Sequence, residues 1–202
     1  MKINKKKLAI ILDNLEKVDN PKVALEQYCL SGEIASDILI RAYLEGDIED
    51  KVIVDQGTGN GIIAIGAYLL NARSVTGVDI DMESLYVAKR NGKINHSLIN
   101  FVKADVSTVS FRSIDCVIEN PPFGSQKKGA DRLFISKAME LSDTIYSIHN
   151  FKGYDFVTKY VRELGGIINW NQKYTLPIPY MYKFHSKKVE YIDIVACKIT
   201  KN

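Results

Sequence analysis

A glycine-rich loop directly after an apolar segment is the feature that most restricts how this chain can fold. Residues 51–55 form the apolar segment, and residues 55–61 read Asp-Gln-Gly-Thr-Gly-Asn-Gly. Glycine permits a tight turn and lets a ligand approach the backbone, and a helical pattern follows to about residue 70. A strand, a glycine loop and a helix in this order predict a parallel α/β sheet whose ligand site lies at the carboxyl ends of its strands.

Strands and helices continue to alternate through most of the chain. Further strands are predicted at residues 74–79, 100–103, 114–119 and 144–148. Helices are predicted at residues 83–91, 130–142 and 155–164. This order indicates a parallel sheet with helices on both faces. Segments 167–176 and 189–199 are extended with no helix pattern between them, so we expect an antiparallel pair joined by a basic loop.

Two helices are predicted ahead of the sheet, one at residues 4–18 and one from near Ser31 or Glu33 to Leu44. We expect one domain over residues 1–202, with a helical extension at 1–45 and the catalytic sheet core at 51–202. The net charge of +3 permits an anionic partner without requiring one. The three cysteines have no paired spacing, which argues against a disulfide framework and against a metal site. The scattered cysteines also fit a reducing cytoplasm, so we expect a cytoplasmic protein. No segment has signal-peptide or membrane-spanning character.

The spacing of the loop glycines favours S-adenosylmethionine as the cofactor. A dinucleotide site would use Gly-x-Gly-x-x-Gly, but Ile62 occupies the place of its third glycine. S-adenosylmethionine has no phosphate and carries an ammonium group, which suits an acidic strand end such as Asp55. Asp79 ends the next strand and can accept hydrogen bonds from both ribose hydroxyls. Asp105 can accept from the adenine amine or act as a turn cap, and Asp81 is predicted to cap a helix, with contact to the ribose as the alternative.

A second motif, Asn120-Pro121-Pro122-Phe123, follows the strand predicted at residues 114–119. The Asn120 side-chain carbonyl and the Pro121 main-chain carbonyl can each accept an N–H of a planar amine, which localises its lone pair for attack on a methyl group. Pro121 and Pro122 fix the backbone angles, and Phe123 offers a face for stacking. The motif predicts methyl transfer to an exocyclic amine; the alternative is a rigid turn after a strand.

These motifs resemble the "methyltransferase-like five" family of class I methyltransferases, as do Leu25-Glu26-Gln27-Tyr28, Leu176-Pro177 and the segment 182–188. The resemblance runs from about residue 8 to residue 194. It implies a Rossmann-like, mostly parallel seven-stranded sheet with an antiparallel last strand, and methylation of adenine N6 in small-subunit ribosomal RNA. The cofactor-binding residues that it and the motifs imply are Gln27, Tyr28, Asp55, Gly57, Thr58, Gly59, Gly61, Asp79, Ile80, Asp105, Val106 and Asn120.

The chain departs from the family at two places. Cys29-Leu30 replaces an expected Pro-Thr pair, and Gln56 inside the glycine loop is atypical. Tyr28 can stack on a flipped base or merely pack. His149 and Trp170 are predicted to be structural.

Basic residues near the two late loops are predicted to hold RNA phosphates, the alternative being solvated loops. They are Lys127, Lys128, Lys183, His185, Lys187 and Lys188. The resemblance also implies a small zinc-binding activator protein that extends the sheet at residues 98–102, where an apolar edge strand is predicted. Segment 106–112 could instead cover that edge.

Two other functions fit parts of the pattern. A glutamine-N5 protein methyltransferase would use the same tetrapeptide, but such enzymes usually carry Tyr at the position of Phe123 and a separate helical N-terminal domain. Here only about 45 residues precede the sheet. A binding module that keeps the cofactor without turnover is the second alternative, and the intact Asn120 argues against it.

Overall fold

The computed structural model describes residues 3–19, 21–22, 25–123, 129–179 and 189–201. The six α-helices within these residues are α1 Lys5–Asp13, α2 Gly32–Leu44, α3 Ile62–Leu69, α4 Met82–Ile94, α5 Ala130–Leu141 and α6 Tyr154–Glu163. The strands are β1 Val52–Gln56, β2 Ser74–Asp79, β3 Asn100–Lys103, β4 Cys116–Glu119, β5 Thr144–Asn150, β6 Gly166–Pro179 and β7 Val189–Lys201.

All seven strands form one sheet in the order β3-β2-β1-β4-β5-β7-β6. The first five are parallel, β7 runs antiparallel to β5, and β6 runs antiparallel to β7. The predicted fold class is confirmed, including the antiparallel last strand. The carboxyl ends of β1, β2 and β4 lie side by side at one end of the strands. Between β1 and β4 the strand order reverses, because β2 and β3 lie on one side of β1 and the later strands lie on the other.

Each face of the sheet is covered by its own apolar core. Ile53 and Ile118 pack on one face with residues of α1, α2 and α3. Val54 and Val117 point to the other face and pack with residues of α5 and α6. Successive strand residues alternate between the faces, so strands buried on both sides read as continuous apolar runs. No helix in the described part of the chain is long and apolar enough to cross a bilayer.

The first helix is shorter than predicted, and tertiary hydrogen bonds explain why. Helix α1 ends at Asp13 instead of near residue 18. The peptide group of Glu16 is taken up by two asparagines, because its carbonyl accepts from Asn60 Nδ2 at 3.1 Å and from Asn91 Nδ2 at 3.0 Å. Its amide donates to Asn91 Oδ1 at 2.9 Å. Because these bonds hold the peptide group of Glu16, the chain leaves the helix after Asp13. The bond to Asn60 connects this segment to the glycine loop.

Helix α2 begins where the sequence predicts, with Ser31 at its N-cap accepting from the Ile34 amide at 3.3 Å. Its first residue, Gly32, lies very close to α1. A Cβ atom at Gly32 would be 2.2 Å from the carbonyl oxygen of Ala9 and 2.7 Å from the amide nitrogen of Asp13. Glycine is therefore required for the two helices to pack at this distance.

Candidate active site

A cavity of about 290 Å³ opens at the carboxyl ends of β1, β2 and β4. The glycine loop and the segment 25–30 both line it. Gly129, Ala130, Leu133 and Phe134, at the start of α5, also line it. The size suits a nucleoside-bearing ligand, and the location is the one at which open α/β sheets bind ligands.

The glycine loop has a backbone shape that side chains would obstruct. Gly57 has φ of +71°, and a Cβ atom there would lie 3.2 Å from the Phe134 ring. Gly57, Thr58 and Gly59 line the cavity together with Asn60. Gly61, a predicted cofactor contact, does not line it; this residue is the N-cap that precedes α3, with φ of +87°.

Asp55 lies behind the loop and not in the cavity. Its carboxylate is fully buried, and Oδ2 accepts from Thr58 Oγ1 at 2.6 Å and from the Ala64 amide at 3.0 Å. Burial raises the pKa of Asp55 to about 7, although both hydrogen bonds oppose this. Asp55 therefore holds the loop against α3, and its contact with the cofactor ammonium stays a prediction.

Asp79 reaches the cavity, as the sequence predicts. Its carboxylate accepts from the Gly59 amide at 2.9 Å and from the Asp81 amide at 2.8 Å. Burial raises the pKa of Asp79, and these backbone bonds partly counter the effect. The residue thus joins the end of β2 to the glycine loop and places a carboxylate at the wall of the cavity.

Asp81 is not the side-chain cap that was predicted. It occupies the position before α4, but its side chain makes no capping bond to the helix backbone. It instead accepts from Lys22 Nζ at 2.6 Å and from Gln27 Nε2 at 2.9 Å. Burial would raise the pKa of Asp81, but the bonds from Lys22 and Gln27 outweigh it and lower the pKa to about 2.

Gln27 lines the cavity, yet its side chain also fastens the covering segment. It donates to Asp81 and to Ser84 Oγ, at 3.0 Å for the latter, and accepts from the Lys22 amide at 2.6 Å. This set of contacts joins Lys22 and Gln27 to Asp81 and the first turn of α4, and it fixes Gln27 at the cavity.

The walls beyond β2 and β3 are mostly apolar. Ile80 and Val106 line the cavity, with Ile80 half exposed, so both can flank a flat ring. Asp105 lines it too, and Oδ1 accepts from the Ser107 amide at 2.9 Å and from Ser107 Oγ at 2.7 Å. Asp105 therefore caps the turn that follows β3, while its contact with the adenine amine stays a prediction.

Asn120 presents an unused acceptor. Its Nδ2 donates to the Tyr28 carbonyl oxygen at 3.2 Å, which fixes the orientation of the amide. Its Oδ1 is buried and has no hydrogen-bond partner within the described ranges. A buried amide oxygen beside a cavity is suited to accept an N–H from a bound molecule.

The other three residues of the tetrapeptide differ in their position relative to the cavity. Pro121 is buried, and Pro122 lines the cavity. Phe123 does not line it; its ring stacks on Tyr28 with centroids 5.9 Å apart and planes at 22°. Tyr28, which does line the cavity, offers an aromatic surface there, and Phe123 packs behind it.

Several cavity residues were not predicted. Asn60, Ser84, Leu133 and Phe134 line the cavity, as do Cys29 and Leu30, where the chain departs from the family pattern. An apolar residue of an amphipathic helix carries no local signal of a ligand, so α5 could not have been assigned to the site. All six predicted RNA-binding residues, Lys127, Lys128, Lys183, His185, Lys187 and Lys188, lie outside the described residues.

Comparison with known proteins gives consistent matches. The model of the methyltransferase small domain matches residues 32–143. An uncharacterised protein of Methanocaldococcus jannaschii is 42% identical over 98% of this chain and 95% of its own. The rRNA N(6)-adenosine-methyltransferase METTL5 of Danio rerio is 30% identical over 96% of this chain and 98% of its own. A crystal structure from Pyrococcus horikoshii, provisionally described as an RNA methyltransferase, matches with TM-score 0.91 and 41% identity, covering 100% of this chain and 99% of that one.

Proposed function

This chain belongs to the methyltransferase small-domain family and groups with the METTL5 methyltransferases, and on that premise we propose that it transfers a methyl group from S-adenosylmethionine to adenine N6 in ribosomal RNA. The observation that carries the proposal is the buried, unpartnered Oδ1 of Asn120 at the cavity. An RNA substrate of this kind is consistent with activity in the cytoplasm.

The residues of the cavity fit the proposed cofactor. The backbone of Gly57 and Gly59 leaves room for a methionine moiety, and the Asp79 carboxylate is placed to accept from ribose hydroxyls. Ile80 and Val106 provide apolar surfaces for an adenine ring. When bound, S-adenosylmethionine supplies an electrophilic methyl group next to a positive sulfur. Asp79, a buried carboxylate that lines the cavity, favours such a cation when it is ionised.

Asn120 performs the central step of orientation. Its Oδ1 accepts one N–H of the target amine and the Pro121 carbonyl accepts the other, which turns the nitrogen lone pair toward the methyl group. Both oxygens stabilise the positive charge that develops on nitrogen, and Asn120 Oδ1 is preorganised because the Asn120 amide already donates to the Tyr28 carbonyl. Tyr28, supported by Phe123, stacks on the flipped adenine. The surplus proton leaves after the transfer, so no strong general base is required.

Replacing Asn120 by alanine tests this function. Removal of one preorganised acceptor costs roughly 3 kcal/mol of transition-state stabilisation, so turnover should fall about 100-fold or more. Affinity for S-adenosylmethionine should stay within about three-fold. The assay is mass spectrometry of nucleosides after incubation with isotopically labelled cofactor and unmodified ribosomal RNA, with Asn171→Ala, an exposed asparagine away from the cavity, as control. Turnover above about a tenth of wild type would contradict the assignment.

The same assay separates the alternatives. Labelled N6-methyladenosine supports the proposal, whereas label in protein glutamine would indicate the glutamine-N5 reaction. Cofactor binding without any labelled product would indicate a non-catalytic module. The full-length matches to adenine methyltransferases favour the first outcome.

We also propose that the predicted basic residues outside the described ranges hold the RNA. Lys127 and Lys128 follow the tetrapeptide directly in the chain, and Lys187 and Lys188 belong to the segment between β6 and β7. Strand β6 ends and β7 begins at the sheet edge that carries the cavity. A polycation at that edge would attract phosphates around the target base.

A partner at β3 forms the last part of the proposal. Among the described strands, β3 pairs only with β2, so it is an edge of the sheet. Leu98 is 84% exposed and Val102 is 40% exposed beside this edge. Segment 106–112 is engaged elsewhere, because Val109 packs in the core under α5 and α6. We propose that a small zinc-binding protein adds a strand here.

The exposed positions are the right ones to mutate. A double variant Leu98→Lys and Val102→Lys should abolish a stoichiometric, zinc-containing complex without unfolding the chain. Phe101 is a poor probe, because a Cβ atom on Gly77 would lie 2.8 Å from its ring, which shows how closely it packs. A fully active monomer whose β3 amides are already protected from hydrogen exchange would contradict the proposed partner.

A further inference from the structure

A row of buried polar side chains lies beneath the two loops that form the site. The strand register places Gln56 of β1 beside Glu119 of β4, and Glu119 beside Ser147 of β5. His149, two residues further along β5, points to the same face as Ser147. All four residues are buried to 2% exposure or less, on the face that α5 and α6 cover. We refer to these four residues as the polar layer.

Three members of the polar layer form a hydrogen-bonded chain. Ser147 Oγ donates to Glu119 Oε1 at 2.7 Å and lies 2.7 Å from His149 Nε2. Burial lowers the pKa of His149 to about 3, so the imidazole is neutral. Its Nε2–H can then donate to Ser147, whose own proton goes to Glu119. Burial also raises the pKa of Glu119 to about 8, so the carboxyl group keeps its proton near neutral pH.

The polar layer contains more polar atoms than its internal hydrogen bonds use. Glu119 Oε2 and both polar side-chain atoms of Gln56 are buried without a partner among the described residues. Apolar residues of similar size would avoid the free-energy cost of burying unpaired polar atoms. Val54 and Val117, two residues earlier on the same face, are apolar and buried. Buried polar groups that remain unsatisfied call for a functional explanation.

The position of the polar layer supplies that explanation. Gln56 is followed directly by Gly57, the first glycine of the glycine loop, and Glu119 is followed directly by Asn120. Because side chains alternate along a strand, the Glu119 side chain anchors one face while Asn120 turns to the other, toward the Tyr28 carbonyl. The two loops thus start from adjacent buried polar residues, of which Glu119 is hydrogen-bonded to Ser147.

We propose that Glu119 is a positioning residue, which with Gln56, Ser147 and His149 holds the end of β4 so that Asn120 Oδ1 faces the target amine. This inference rests on the proposed role of Asn120. It implies that Glu119 affects turnover and leaves the affinities for cofactor and RNA nearly unchanged. A misplacement of catalytic groups by about 1 Å can reduce rates by about 100-fold.

The test compares two substitutions at Glu119. Glu119→Leu removes the hydrogen bond to Ser147 and should lower kcat by about 10- to 100-fold, with KM for RNA and Kd for S-adenosylmethionine within about three-fold. Glu119→Gln mimics the protonated carboxyl group and should recover most of kcat. Val117→Ala, on the same strand and face, is the control for general loosening of the core and should lower Tm while kcat of the folded protein is kept.

Single-turnover rates of combined variants show whether Glu119 acts through Asn120. Glu119→Leu should reduce the rate far less in an Asn120→Ala background than in wild type. Ser147→Ala interrupts the same chain and provides the measurement if Glu119→Leu fails to fold. Wild-type kcat in folded Glu119→Leu, or in folded Ser147→Ala if only that variant folds, overturns the inference while the proposed function stands. Undiminished activity of Asn120→Ala overturns the proposed function itself.

Discussion

Glu119→Gln should make the stability of the protein less dependent on pH. The Glu119 carboxyl group is fully buried, and its pKa rises from 4.5 to about 8 in the folded state. Between these values the folded protein keeps a proton that the unfolded chain has released. Folding stability from this group is therefore fully present below about pH 4.5 and is lost as the pH rises toward 8. Glutamine does not titrate, so the variant lacks this contribution.

The size of the effect follows from the two pKa values. Each pH unit inside the window removes up to about 1.4 kcal/mol of stability, because one proton is bound by the folded state and not by the unfolded state. From about pH 5.5 to about pH 7.5, wild type should lose roughly 2.5 kcal/mol more stability than Glu119→Gln. Asp55 and His149 also titrate abnormally, but they are present in both proteins and largely cancel in the difference.

Urea unfolding of both proteins at several pH values in this window measures the difference. The m-values should agree, so that the shift in midpoint reports stability alone. Cofactor must be left out, since it would stabilise the folded state by mass action. Parallel curves of stability against pH would refute the reasoning, because they would show that Glu119 is already ionised in the folded protein.

Three further outcomes are expected. Asp79→Ala should weaken binding of S-adenosylmethionine in calorimetry by roughly ten-fold or more, since charge-assisted hydrogen bonds contribute about 1.5–3 kcal/mol each; normal binding would contradict the proposed seat of the ribose. Charge reversal at Lys187 and Lys188 should flatten the salt dependence of RNA binding by about one unit of log–log slope per lost contact, and an unchanged slope would exclude them from the RNA path. Gly32→Ala should destabilise the fold by about 1–3 kcal/mol in urea unfolding, because its Cβ would meet backbone of α1. Gly153→Ala, where a Cβ meets nothing within 4 Å, is the control; equal stability of the two variants would contradict the packing argument.

The architecture could be predicted because its signals are local. The glycine loop, the alternating periodicities and the apolar strands all lie within short stretches of sequence, and each predicted element is present. Asp79 and Asn120 were found for the same reason, since each directly follows or ends an apolar strand and parallel strands end at one sheet edge.

The parts that could not be predicted depend on contacts between distant segments. Asp55 is the next-to-last residue of β1, and its side chain turns to the face covered by α3 and is buried there. The early end of α1 depends on Asn60 and Asn91, which lie far along the chain. The pairing of Gln56 with Glu119 depends on the register between two strands, and nothing local in either strand specifies that register.

The sheet order has a consequence for how the enzyme becomes active during folding. β6 and β7 are consecutive in the chain, whereas β1 and β4 pair Val54 with Val117 across more than 60 residues. Closing so long a loop is entropically costly, so we expect the central pairing to form later than the hairpin. The glycine loop follows β1, and the loop that begins at Asn120 follows β4. Partly folded chains should therefore hold much of the sheet and no active site, and the appearance of methylation marks the completion of folding.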